Sequence, residues 1–253
     1  MHTPEPAPAR RLLDRHFRWR GTDVSRMEAF ADGVFAIVLG LLFLQTTPPR
    51  DLAEFKAAML ALLPFGVTFA LLVMVWVEHH RFFRRYGLRD GPTFFGNLGL
   101  LFLVLVYAYP LKFLFTMLCV VWIGPIGALT HESMSQGAEA RDGLMLMTFY
   151  GVGFGTIYAT FALLYRHALR RAEELGLDAV ERYLTVTSLL ECTRLMTIAL
   201  LSVLLAWLWS NAASGLVYFA LGPAMTVIGS RRGRGLRPLL ATRGAGEPAP
   251  ATG

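Results

Sequence analysis

The stretch that decides the fold runs from Arg26 to Gln45 and reads RMEAFADGVFAIVLGLLFLQ. From residue 27 to residue 47 the only charged side chains are Glu28 and Asp32, and two prolines close the run. A helix needs about 20 mainly apolar residues to cross the hydrocarbon of a bilayer. The stretch therefore predicts a transmembrane helix that carries a carboxylate near its beginning.

Five further apolar runs follow, at residues 57–83, 94–123, 144–165, 184–209 and 212–228. None alternates polar with apolar residues, as the strands of a membrane barrel do. A lipid-exposed open strand would leave its backbone groups unpaired. We therefore predict an all-α, polytopic membrane protein with six transmembrane helices.

Composition supports a membrane protein and places its charges. The 253 residues are 55% hydrophobic and 17% charged, with a net charge of +6 and a mean hydropathy of +0.48. The basic residues flank apolar runs rather than forming a face with interleaved aromatics, so we expect the lipid bilayer and not nucleic acid as the partner. Basic segments alternate with neutral or acidic ones, which predicts that both termini are cytosolic.

Three segments are expected on this basis. Residues 1–25 form a cytosolic amino-terminal segment, which is polar and lacks the apolar core of a signal peptide. Residues 26–230 form the six-helix transmembrane domain. Residues 231–253 form a cytosolic tail that is basic and then disordered, since its end is rich in Gly, Ala and Pro.

Asp32 is the unusual residue of the first run. An ionised carboxylate inside a membrane helix is costly and normally faces protein or water, with a partner. The alternative is an interfacial acid near the helix beginning, where the helix dipole favours negative charge. Beyond it, Ile37, Leu41 and Leu44 share one helix face, with Gly33 and Gly40 beside them. By residue type alone, this apolar stripe is typical of packing between helices.

Polar residues at one end of the next two runs are candidate partners of Asp32. Trp76, His79 and His80 close the second run, and Asn97 lies near the beginning of the third. The predicted topology places all of them toward the same membrane face. We therefore predict a polar network that ties the first three helices together. The adjacent histidines lack a third ligand at a fitting spacing, and we expect no metal and no cofactor.

The motif Arg26-x-x-x-Phe30-Ala31-Asp32 resembles a known signature. It is similar to Arg-x-x-x-Phe-Ser-Asp of the transmembrane protein 175 family, which comprises the endolysosomal potassium channel and its shorter bacterial relatives. Trp76-x-x-His79-His80 and Asn97 also resemble the family pattern. The resemblance covers the first three runs well and the others mainly in number and spacing.

The resemblance implies a function that the residues alone do not. The single-repeat members form homotetramers in which the first helix of each subunit lines the pore, and residues 26–230 would then be the channel domain. Carried over by position, the apolar constriction is Ile37, Leu41 and Leu44, and the residues that hold the helix are Arg26, Phe30, Asp32, His79, His80 and Asn97, with Trp76. We therefore expect a leak-type, potassium-permeable channel that is a self-assembled homotetramer, multi-pass in a bacterial plasma membrane, with potassium as its permeant ion.

Two departures from the family pattern affect this expectation. Ala31 replaces the motif serine, which removes a hydroxyl from the network. Gly40 stands where several relatives have a threonine, so the resemblance implies modest selectivity at this pore-lining position. No loop resembles the carbonyl filter of the usual potassium channels.

Other classes of function remain open. A proton-conducting channel or a secondary cation transporter is the alternative, although a transporter predicts broken helices in two related halves. We expect no enzyme, because the sequence has no hydrolase elbow, zincin pair or phosphate loop. Glu191 and Arg194 stand at i and i+3 in the fifth run, where they form either a structural pair or a functional one.

Overall fold

The computed structural model describes residues 16–21, 23–44, 49–123, 140–209, 235, 236, 238 and 240. Its helices are α1 (Arg26–Leu44), α2 (Leu52–Tyr86), α3 (Gly91–Ile123), α4 (Ala140–Arg170) and α5 (Ala179–Leu208). No β-strand occurs within these described ranges. The protein is all-α, as predicted, and the five helices coincide with the first five apolar runs. The sixth run, 212–228, lies outside the described residues.

Length and composition qualify four of the helical segments as membrane spans. These are Leu52–Tyr86, Gly91–Ala108, Gly143–Arg170 and Ala179–Leu208. Helix α1 has 19 residues and carries Glu28 and Asp32 in its first turns. Its length is close to the roughly 20 residues that a span requires.

The helices begin and end at recognisable caps. At the beginning of α2, the Asp51 carboxylate accepts the Glu54 N–H at 2.7 Å, and at its end Gly87 adopts a left-handed conformation with φ of 59°. A glycine takes this conformation without steric cost. At the beginning of α5, Asp178 and Glu181 form a reciprocal capping box. These caps carry both helices beyond the apolar runs that predict them.

Glycines allow α4 to approach its neighbours closely. A Cβ atom on Gly153 would lie 2.3 Å from the ring of Tyr107 in α3, and one on Gly155 would lie 3.4 Å from the Ala199 side chain in α5. Small residues at such contacts are characteristic of membrane helix packing. The bundle is thus held together across α3, α4 and α5.

One end of this bundle holds most of the side-chain hydrogen bonds between helices, and we call it the polar end. It consists of residues 25–32 at the beginning of α1, 76–86 at the end of α2, 90–97 at the beginning of α3, 165–170 at the end of α4, and 179–188 at the beginning of α5. There Tyr86 of α2 donates to Thr185 of α5 at 2.8 Å, and Arg85 donates to Ser188 at 3.0 Å. The opposite end is the far end. The candidate site lies at the polar end.

Candidate functional site at the foot of α1

Helix α1 has two faces of opposite character. On one face Ala31, Phe35, Val38 and Leu42 are at most 3% exposed and pack into the helical core. On the other face Ile37 is 61% exposed and Leu41 is 52% exposed. A single chain therefore buries only half of this apolar helix. The side chain of Leu44, the last residue of α1, lies outside the described part of the structure.

The exposed face of α1 also contains open positions. A Cβ atom on Gly33 or Gly40 would meet no atom of the described part of the chain within 4 Å. These glycines therefore do not serve close packing within one subunit. Among the described residues, none covers this surface at Gly33 or Gly40.

The beginning of α1 is fixed by a cap. Ser25 Oγ accepts the Glu28 N–H at 3.2 Å, and the Ser25 N–H donates to Glu28 Oε2 at 2.8 Å. This reciprocal pair is a capping box. The Arg84 guanidinium of α2 lies 3.7 Å from Glu28 Oε1. The cap thereby connects α1 to the end of α2.

Asp32 forms the next contact between α1 and α2. Trp76 Nε1 donates a hydrogen bond to Asp32 Oδ1 at 2.7 Å. The Trp76 ring stacks on His80, with centroids 5.5 Å apart, and Trp19 meets His80 edge-on at 6.3 Å. The carboxylate therefore has a protein partner, and aromatic rings surround that partner.

His79 connects α2 to α3. His79 Nε2 and Asn97 Oδ1 are 2.7 Å apart, and both residues are at most 2% exposed. The imidazole ring lies against Phe35 of α1, with centroids 6.0 Å apart, and against Phe83, at 4.6 Å. The structure thus brings Asp32, Trp76, His79, His80 and Asn97 together at one end of three helices.

Two motif residues lie apart from this cluster. The Phe30 side chain is 59% exposed, and Arg26 is exposed as well. Ala31, which replaces the serine of the resembling signature, is completely buried. Within one chain, Asp32 is therefore the motif residue that makes the polar contact with α2.

Comparison with known proteins shows which family the chain belongs to. The family model described as endosomal/lysosomal potassium channel TMEM175 matches residues 26–110. A potassium channel from Marivirga tractuosa is 34% identical over 235 residues, which cover 90% of this chain and 95% of that relative. The chain belongs to the TMEM175 family.

Solved structures of TMEM175 proteins share the fold. The crystal structure of a threonine-to-alanine variant of the potassium channel MtTMEM175, in complex with a nanobody–MBP fusion, matches with a TM-score of 0.76 and 33% identity over 88% of this chain and 99% of that one. The lysosomal potassium-selective channel TMEM175 homolog from Chamaesiphon minutus matches with a TM-score of 0.53 and 24% identity, over 82% and 96% of the two chains. The second likeness concerns the fold alone.

The TMEM175 family match covers α1, α2 and the first part of α3. It therefore includes the whole cluster around Asp32. The cap residues Ser25 and Glu28 were not predicted as site residues, although Ser-x-x-Glu before an apolar run is a readable capping signal. The contact of Trp19 with His80 had no such signal, because it joins residues far apart in sequence.

A second polar group lies between α2, α4 and α5. Glu78 accepts hydrogen bonds from the Tyr165 hydroxyl at 2.5 Å and from Arg81 at 2.6 Å. It borders a cavity of about 260 Å³ that Glu191 also lines. Arg194, the predicted partner of Glu191, is exposed on the outside of the described chain.

Proposed function

We propose that this TMEM175 protein is a potassium-permeable cation channel of the leak type, with modest selectivity and a pore lined by α1. The single observation that carries the proposal is the two-faced character of α1. The beginning of α1 is held by the hydrogen bond between Asp32 and Trp76, while Ile37 and Leu41 are exposed on the opposite face of the helix. The identity of the permeant ion is inferred from relatives that are named potassium channels.

The exposed face is suited to an apolar constriction. Ile37, Leu41 and Leu44 follow one another along α1, and a ring of such side chains sheds water when it is narrow. An ion that crosses it loses hydration without fixed dipoles in exchange, which limits selectivity. Gly40 adds no hydroxyl to this surface. Small shifts of α1 would open or close such a ring.

Assembly into a homotetramer would explain why one apolar face of α1 is exposed in a single chain. Four copies of α1 around one axis would line a water path with the surface that one chain leaves open. Other helices also expose apolar side chains, such as Phe102 and Leu105 of α3, but α1 combines an exposed apolar face with the carboxylate of Asp32, which is hydrogen-bonded to Trp76 near the beginning of the helix. This difference favours α1 as the pore helix.

Contacts at the beginning of α5 support both termini lying on one side of the membrane. Arg20, close to the amino terminus, pairs with Glu181, and Gly235, close to the carboxyl terminus, lies against the Tyr183 hydroxyl. Residue 209 stands at the other end of this 30-residue helix, about 45 Å away. A sixth span over residues 212–228 would return the chain, and the arginine pattern assigns that side to the cytosol.

The test is ion flux through the purified full chain in liposomes. A potassium gradient without any second ion should drive downhill flux, with sodium and caesium passing more slowly. Flux that requires a coupled ion would instead establish a transporter, and proton flux without potassium flux would establish a proton channel. Either result would overturn the proposal.

The position of the pore is tested by Ile37→Asn. We expect potassium flux to rise roughly tenfold, which corresponds to a barrier lower by about 1.4 kcal/mol, because the amide keeps water in the constriction. The matched control is Leu105→Asn, since Leu105 is similarly exposed but lies on α3. Equal flux changes in both variants, or none in Ile37→Asn, would contradict a pore lined by α1.

A further inference from the structure

Residues 17–21 form a non-helical strap that crosses the polar end and precedes α1 in the sequence. Phe17 is only 1% exposed. Its ring meets the Tyr86 ring edge-on at 5.5 Å, and the Arg85 guanidinium lies over it, 4.9 Å from its centroid. A large buried side chain between two residues of α2 fixes the outer end of the strap.

Arg20 attaches the strap to the connection between α4 and α5. Its guanidinium donates to the carbonyl oxygens of Leu175, at 2.7 Å, and Gly176, at 3.0 Å. It also pairs with Glu181 Oε2 at 2.6 Å, and Glu181 Oε1 accepts the Arg18 N–H at 2.8 Å. Because Glu181 is 2% exposed, these charge-assisted contacts are poorly screened and strong.

The strap backbone is bound to the end of α2. The N–H groups of Arg20 and Gly21 both donate to the Arg84 carbonyl at 3.1 Å, and Arg84 Nη1 donates to the Gly21 carbonyl at 3.0 Å. A Cβ atom at position 21 would lie 2.7 Å from the Phe83 carbonyl. Only a glycine permits so close an approach, so the residue at position 21 is suited to the contact between the strap and α2.

An aromatic chain connects the strap to the anchor of α1. Trp19 contacts His80, His80 stacks on Trp76, and Trp76 holds Asp32. The strap is also close to α1 in sequence, since α1 begins five residues after Gly21. Displacement of the strap therefore reaches α1 by two routes.

We propose that the strap is a latch that positions α1 in its conducting arrangement, with Trp19 and Arg20 as positioning residues. The proposal rests on the proposed function of α1 as the pore helix. In a water-filled pore, the hydrophobic effect favours packing of Ile37 and Leu41 against the same residues of neighbouring subunits, because this removes apolar surface from water. The latch and the Asp32 anchor oppose this collapse. Release of the latch closes the pore.

The experiment compares Arg20→Gln and Trp19→Ala with a matched control, Arg171→Gln, in the full chain. Arg171 also pairs with two acids, Asp90 and Glu174, neither of which belongs to the strap or to α1. Two quantities are measured in the same liposomes: potassium flux per amount of protein, and amide hydrogen exchange of residues 25–35.

In the two strap variants, hydrogen exchange over residues 25–35 should rise roughly tenfold. Potassium flux should fall about threefold or more, because part of the protein then occupies the collapsed, closed state. In Arg171→Gln, both quantities should stay within about twofold of wild type. Such a pattern supports the latch. Unchanged exchange at residues 25–35 in Arg20→Gln and Trp19→Ala would overturn it, and so would higher exchange with unchanged flux.

Ile37→Asn separates failure of the latch from failure of the proposed function. If this variant raises flux while the strap variants conduct like wild type, α1 lines the pore and the latch proposal is wrong. If neither wild type nor Ile37→Asn conducts potassium, the proposed function has failed and the latch fails with it.

Discussion

At the polar end α1, α2 and α3 are joined by hydrogen bonds between side chains, whereas at the far end the described parts of the same helices meet mainly through apolar groups. The polar end has the pair of His79 and Asn97 and the pair of Asp32 and Trp76. At the far end, Lys112 of α3 donates to the Leu42 carbonyl of α1 at 2.9 Å. A cavity of about 770 Å³ also lies there, lined largely by apolar side chains of α3 and α4.

The difference between the two ends indicates where α1 is held. Apolar contacts between helices gain little from the hydrophobic effect in lipid, and they do not fix a register as paired polar groups do. Ile37 lies five residues beyond Asp32, or about 7.5 Å along the helix. The proposed constriction thus begins close to the fixed end, and a small rotation at that end would move it.

The largest expected effect is at the buried pair of the polar end. Asn97→Leu leaves the His79 imidazole without its partner, and we expect a loss of about 2–3 kcal/mol in the free energy of unfolding. Thermal unfolding in detergent measures it. The double variant His79→Phe with Asn97→Leu should recover most of this loss, because both polar groups are removed. If Asn97→Leu were as stable as wild type, the polar end would not be held more firmly than the far end.

A smaller effect is expected at Asp90, between α2 and α3. Its carboxylate accepts hydrogen bonds from His167 at 2.5 Å and from Arg171 at 2.9 Å. Burial disfavours its charge, but contacts from Thr93 and His167 outweigh burial and lower the pKa of Asp90 to about 2. Since the folded pKa is below the unfolded value of about 3.9, the stabilisation is complete above that pH and is lost as the pH falls toward 2.

Asp90→Asn tests this pH dependence. At pH 7 we expect a loss of about 1 kcal/mol, a value reduced for solvent screening because the site is partly exposed. The difference from wild type should shrink as the pH is lowered from 5 to 3, which thermal unfolding over that range measures. An equal difference at both pH values would assign the effect to packing instead of charge.

The smallest effect is expected at the far end. The Tyr107 hydroxyl of α3 donates to the Tyr150 carbonyl of α4 at 2.5 Å. Tyr107→Phe should cost only about 0.6 kcal/mol, the average for polar contacts between membrane helices. The comparison with Asn97→Leu uses the same unfolding measurement. A cost equal to that of Asn97→Leu would show that the far end is held as firmly as the polar end.

The positions of the five described helices could be predicted because each contains a long apolar run. Their ends could not, because capping and not hydropathy ends a helix. The second run was predicted to begin at residue 57, yet α2 begins at Leu52 beside the Asp51 cap and continues to Tyr86. The polar residues at its end, including Arg84 and Arg85, remain helical because they bond to other elements.

The candidate site was predictable only in part. A carboxylate, two histidines and an asparagine near one membrane face predicted a polar network, and the structure brings those residues together. Trp76 was among the candidate partners of Asp32, but the sequence did not show that Trp76, and not one of the histidines, makes the contact. No pattern in the sequence predicted the strap, because its partners Glu181 and Arg84 are more than sixty residues away in the chain. The roles of Arg26 and Phe30 stay predictions.

The empty space beside Gly40 has a consequence for the proposed pore. A Cβ atom added at this position would have no atom of the described residues within 4 Å. Replacement by threonine would therefore leave the scaffold intact and would even remove a glycine from a helix interior, which favours the helix. In the proposed pore, the side chain at position 40 can therefore change the pore surface without disturbing the fold of the subunit.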